Sequence, residues 1–70
     1  MRIGDMARRF DETLATIRYW CDQFGVPVIR CKGGHRLFNA DSQTALSEVR
    51  RLVRFEGMTI AGAKRKLGIQ

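Results

Sequence analysis

Seventy residues make one small domain, and a chain this short buries only roughly 60% of the surface its unfolded form would expose, which leaves no room for a deep catalytic cleft. Thirteen Lys and Arg against seven Asp and Glu give a formal net charge of +6 and a pI near 10.4; the balance suits a polyanionic partner, although basic character for solubility alone is equally compatible with charge by itself. Two cysteines, Cys21 and Cys31, are too few for a secreted disulfide scaffold, and the start of the chain lacks the apolar run of a signal peptide, so the expectation is a globular cytoplasmic protein with reduced thiols and no membrane contact.

The first element is a short amphipathic helix. Ile3, Met6, Ala7 and Phe10 fall at i, i+3, i+4 and i+7, with Arg8 and Arg9 turned outward. Asp11-Glu12-Thr13 interrupts this pattern, and the Thr13 hydroxyl is suited to cap a second helix running from about Leu14 to Gln23. Spacing at about 100° per residue places Leu14, Ile17, Cys21 and Phe24 inside, with Trp20 on one flank of that stripe as a packing residue. Ala15, Thr16, Tyr19, Asp22 and Gln23 face away, and Arg18 borders this outer face. Gly25 and Pro27 supply the stop. Two short helices joined by a brief turn, over about residues 3–24, form a helix-turn-helix candidate.

Residues 27–38 read as a β-hairpin. Pro27-Val28-Ile29-Arg30-Cys31 is short and β-branched, Lys32-Gly33-Gly34-His35 is a turn, and Arg36-Leu37-Phe38 returns. A lone two-stranded ribbon is marginal in water, so Val28, Leu37 or Phe38 must lean on the helices. Asn39 then caps a third helix over about 40–55, with Ala45, Leu46, Val49, Leu52 and Val53 inward and Arg50, Arg51 and Arg54 wet. Gly57 ends that helix, and Thr59 caps a fourth over about 60–67, where Ile60, Ala63, Lys64 and Leu67 carry the helical period. The fold class expected is mainly α: a winged helix-turn-helix of about four helices with the hairpin between the second and third.

Thr16-Ile17-Arg18-Tyr19-Trp20 and Gly33-Gly34-His35-Arg36-Leu37-Phe38, followed by Arg50-Arg51-Leu52 and Glu56-Gly57-Met58-Thr59-Ile60, resemble the DNA-binding domain of the MerR family across essentially the whole chain. The resemblance implies a bacterial-type transcription regulator whose second helix enters the major groove of double-stranded DNA. It assigns Arg18 to DNA, Tyr19 to the sugar-phosphate backbone, Arg36 to the wing near a phosphate or the minor groove, and Thr13, Ala15 and Thr16 to the start of the recognition helix. Arg30, Lys32 and His35 add charge around the wing tip, with His35 equally readable as a turn residue.

Three departures from the family pattern stand out. Ser42 and Gln43 replace an acidic and a hydrophobic residue, so the start of the third helix should pack or cap in its own way. Ala15 stands where relatives often carry a basic residue, and Asp22 adds negative charge to the DNA-facing helix. The long helix that usually dimerises these regulators, and the effector domain beyond it, do not follow Gln70, so one copy would cover one half-site, with a homodimer or cooperative binding on repeated half-sites for tight association.

Cys21, Cys31 and His35 fall short of the four ligands of a structural zinc site, and a single His without a nucleophile or carboxylate partner forms no general-base array. No cofactor, metal or enzymatic activity is expected. Two other classes stay open: a stand-alone excisionase-like or architectural DNA-binding factor, and a protein-interaction module that has kept the fold.

Overall fold

A computed structural model describes the chain except for Cys31, His35 and Gln70. Four helices and one hairpin follow in the order α1 (Ile3–Phe10), α2 (Leu14–Phe24), β1 (Ile29–Arg30), β2 (Arg36–Leu37), α3 (Ala40–Arg50) and α4 (Ile60–Lys66), with a wide π turn, Arg51–Phe55, continuing α3. This is a winged helix-turn-helix.

Each of the three later helices begins at the cap its sequence announces. The side-chain oxygens of Thr13, Asn39 and Thr59 accept from the backbone N–H groups of Thr16, Ser42 and Gly62, at 3.1, 2.9 and 3.0 Å. Each bond satisfies one of the amide donors that a helix start leaves without an intrahelical partner. Gly25 closes α2 in the left-handed conformation, φ 62°. The end of α1 is less orthodox, because Asp11 adopts φ 54° there without being glycine.

The core lies where α1, α2, α3 and α4 converge on Phe38: Met6, Ile17, Trp20, Phe24, Leu46, Val49, Leu52 and Ala63 are all buried. Leu14 does not join them, contrary to the sequence expectation; it is 46% exposed, whereas Trp20 is only 2% exposed. With about 100° per residue, the buried arc centres between Ile17 and Phe24, which brings Trp20 inside it and leaves Leu14 about 70° off centre on the first turn.

The hairpin pairs Ile29 with Leu37 and Arg30 with Arg36. Gly33 and Gly34 turn it with φ 96° and 81°, values that side-chain-bearing residues rarely adopt. Two features hold this short ribbon to the helices. Phe38 is buried in the core as the sequence requires, and the first residues of the chain pair along β2: Arg2 bridges Leu37, while Met1 carbonyl accepts from the Phe38 N–H at 2.7 Å. The wing is thus backed by a third extended segment that sequence periodicity does not reveal.

The departures at Ser42 and Gln43 have a packing role. Ser42 is fully buried and its hydroxyl donates to the Pro27 carbonyl, tying α3 to the approach of β1. Gln43 donates to the Phe38 carbonyl at 3.1 Å and accepts from Arg9 at 3.1 Å. An acidic or apolar side chain could not make both sets of bonds.

Arg51 and Arg54 stay exposed as the sequence predicts and Arg50 is half-buried, yet all three have carboxylate partners. Glu12, in the turn between α1 and α2, accepts from Arg54 Nη2 and Nε at 2.9 and 3.1 Å and lies 3.5 Å from Arg50 Nε. Arg50 sits between the Phe10 and Phe55 rings, 5.5 and 5.0 Å from their centroids, and Arg54 lies 5.4 Å from the Trp20 ring. Arg51 pairs with Glu48 and Glu56. Periodicity within α3 could not show this, because the carboxylate that takes Arg54 lies 42 residues earlier.

Candidate nucleic-acid interface

The surface of α2 opposite the core carries Ala15, Arg18, Tyr19 and Asp22, all exposed. Tyr19 is 50% exposed at the centre of this face, an aromatic ring that packing against the core does not account for. Thr13 and Thr16 stand at the start of the helix but are partly engaged with each other: Thr13 Oγ1 accepts from Thr16 N–H and donates to Thr16 Oγ1 at 2.9 Å. Thr16 keeps a free hydroxyl proton in that arrangement, whereas Thr13 is committed to the cap.

Beside this face, α2 and the hairpin enclose a cleft of about 320 Å³ lined by Ile3, Arg18, Arg30, Gly34 and Arg36. Arg18 comes from the flank of α2, and Arg30 and Arg36 are cross-strand partners on the two strands. Like charges directly opposite on a ribbon disfavour the pairing, so three guanidinium groups around one opening constitute a site that an anion stabilises. Arg30 Nη1 donates to the Gly34 carbonyl at 3.3 Å, which holds it against the turn. Arg36 is the most enclosed of the three: its side chain is 18% exposed, Nη2 lies 3.4 Å from Asp22 Oδ1, and Nη1 is buried with no hydrogen-bond partner among the described residues. Lys32 is exposed at the wing tip. His35 and Cys31 lie outside the described residues.

The neighbouring Cys21 is buried under this cleft. Burial pushes its thiol above the ordinary range, and the Arg36 guanidinium draws it partly back. Among the described residues no three His, Cys, Asp or Glu side chains converge on a common point, and no helix is long and apolar enough to cross a membrane.

The helix-turn-helix, the capped α2, the glycine-turned wing and the arginines between them recur as one pattern. The sequence profile of MerR HTH family regulatory proteins matches residues 1–68. The chain belongs to the MerR helix-turn-helix family. No curated protein matches it in a direct comparison. As a MerR-type domain it is a DNA-binding regulatory module, and double-stranded DNA is the partner its family implies.

Sequence reasoning found Arg18, Tyr19, Arg30, Lys32 and Arg36 separately, and the structure brings Arg18, Arg30 and Arg36 to one opening. It missed Ile3, which forms the floor of that opening because the N-terminal segment runs along β2. It also missed the contact of Asp22 with Arg36. The signal for it was present, since Asp22 follows Arg18 by four residues and therefore lies on the same side of the helix.

Proposed function

We propose that this domain reads double-stranded DNA sequence-specifically as part of a transcription regulator, with α2 in the major groove and the hairpin on the adjacent backbone or minor groove. The observation that carries the reading is the arginine-lined cleft at the junction of helix and wing. A duplex presents phosphates where two such elements straddle its backbone, and a cleft with three cations and one carboxylate is complementary to that charge. In this arrangement Arg18, Arg30 and Arg36 take phosphate, with Lys32 adding charge at the wing tip. Tyr19 donates its hydroxyl to the backbone. Thr13, Ala15 and Thr16, at the leading end of α2, face base edges, Ala15 through its methyl group and Thr16 through its hydroxyl.

One domain of this size covers one half-site, so two copies on repeated half-sites give tight binding on the nucleoid. Fluorescence anisotropy of labelled duplexes over a salt series tests the proposal. The parent should bind at low salt, Arg36→Ala should reduce the slope of log K against log salt by about 0.9, and Tyr19→Phe should weaken binding without a comparable change in slope. Selection from random duplexes should return a common half-site. Absence of duplex binding at low salt overturns the proposal, and equal affinity for every sequence points instead to an architectural or protein-recruiting role.

A further inference from the structure

The carboxylate of Asp22 stands on the DNA-facing side of α2 and touches the one cleft arginine that is otherwise enclosed. A negative charge is the wrong sign for a surface meeting phosphates, and its partner Arg36 keeps one buried nitrogen, Nη1, without a hydrogen bond among the described residues. We propose that Asp22 is an affinity-setting residue: in the free protein it occupies Arg36 in the place a DNA phosphate takes in the complex, and so limits how strongly the cleft holds any duplex. The inference rests on the duplex-binding reading above and identifies the residue that tunes it.

The geometry decides the sign of the effect. A residue that pre-orders Arg36 for DNA would grip it tightly, by two short parallel bonds from a well-buried carboxylate. Asp22 instead makes a single contact at 3.4 Å with its own side chain 66% exposed. Arg36 needs little help in keeping its place, because its side chain is largely enclosed between α2 and the wing. What Asp22 contributes is therefore mainly charge. It offsets one of three cations around the cleft, relieving the repulsion between the facing Arg30 and Arg36 while no anion is bound. When a phosphate enters, Asp22 becomes a competitor. Asp22 stays exposed, so it can turn away into water without disturbing the core.

Asp22→Asn is the informative substitution, because it removes the charge while keeping an oxygen that accepts from Arg36. Measured by anisotropy on one labelled duplex, it should tighten binding about three- to tenfold at 50 mM salt while leaving the slope of log K against log salt near the parental value, because Arg36 meets a phosphate in both complexes and only the competition for it is removed. Asp22→Glu, which preserves the charge, should keep the parental affinity within about twofold. In an Arg36→Ala background Asp22→Asn should leave affinity within about twofold and the slope unchanged. Circular dichroism of each variant verifies the fold.

Weaker or unchanged binding by Asp22→Asn, or a gain as large without Arg36 as with it, overturns the inference while leaving the duplex-binding reading intact. Failure of the parent to bind any duplex removes both.

Discussion

Six of the ten arginines of this small protein form two groups, and the two are used in opposite ways. Arg18, Arg30 and Arg36 surround a cleft between α2 and the wing, and Asp22 contacts Arg36. Arg50, Arg51 and Arg54, on α3 and the turn after it, face Glu12, Glu48 and Glu56 and stack on Phe10, Phe55 and Trp20. The first group is cation in excess and the second is neutralised. A chain-wide charge of +6 does not distinguish them; the partners do. Among these six, the uncompensated positive charge lies on the helix and wing, while the other group fastens the helix-turn-helix to α3.

Substitutions that break one group should leave the function of the other intact. The largest effect on stability should come from Glu12→Ala, which leaves Arg50 and Arg54 without their shared, nearly enclosed carboxylate; a loss of about 2–3 kcal/mol in urea unfolding is expected. The slope of duplex binding against salt should not move under conditions where the variant is folded. Ser42→Ala comes next, at about 1–2 kcal/mol, because the Pro27 carbonyl loses a buried donor on the side of the core that carries the wing.

On the other side of the comparison, Arg18→Ala should weaken duplex binding about tenfold, equivalent to about 1.4 kcal/mol, with stability within about 0.5 kcal/mol of the parent, since the side chain is exposed.

The smallest effect concerns pH. A hydrogen bond from the Arg2 backbone N–H, aided by the nearby Arg8, holds the Asp5 carboxyl below its usual range, and a hydrogen bond from Arg51 does the same for Glu48. Both groups titrate lower in the folded than in the unfolded chain. Their contribution is present above the ordinary carboxylate range and lost as pH falls through the depressed folded values. Being exposed, they should lower the thermal midpoint only modestly on acidification, and Glu48→Gln should flatten that acid limb.

Much of this architecture is legible from local signals. Thr13, Asn39 and Thr59 mark helix starts by their own side-chain chemistry, Gly25 marks an end, and the paired glycines mark the hairpin turn. These features depend on residues only a few positions apart. What the sequence did not disclose depends on partners far along the chain: the pairing of Arg2 with Leu37, the reach of Arg54 to Glu12, and the donation from Ser42 to Pro27. The exposure of Leu14 has a similar cause, since periodicity gives the width of an apolar stripe but the neighbouring helices determine where its centre lies, whereas Trp20 packs in the core as its place beside the stripe predicts. For the candidate site, residue types on α2 and the wing were readable one by one. Their convergence on a single cleft required the fold.

The division between the two arginine groups is tested most directly by comparing the salt dependence of duplex binding for two double variants, Arg18→Gln with Arg36→Gln and Arg51→Gln with Arg54→Gln. Each pair removes the same formal charge. The first should flatten the slope of log K against log salt by about 1.8, and the second should leave it at the parental value. Equal flattening by both would contradict the account, because it would mean that DNA responds to the total charge of the domain and not to the cleft between helix and wing.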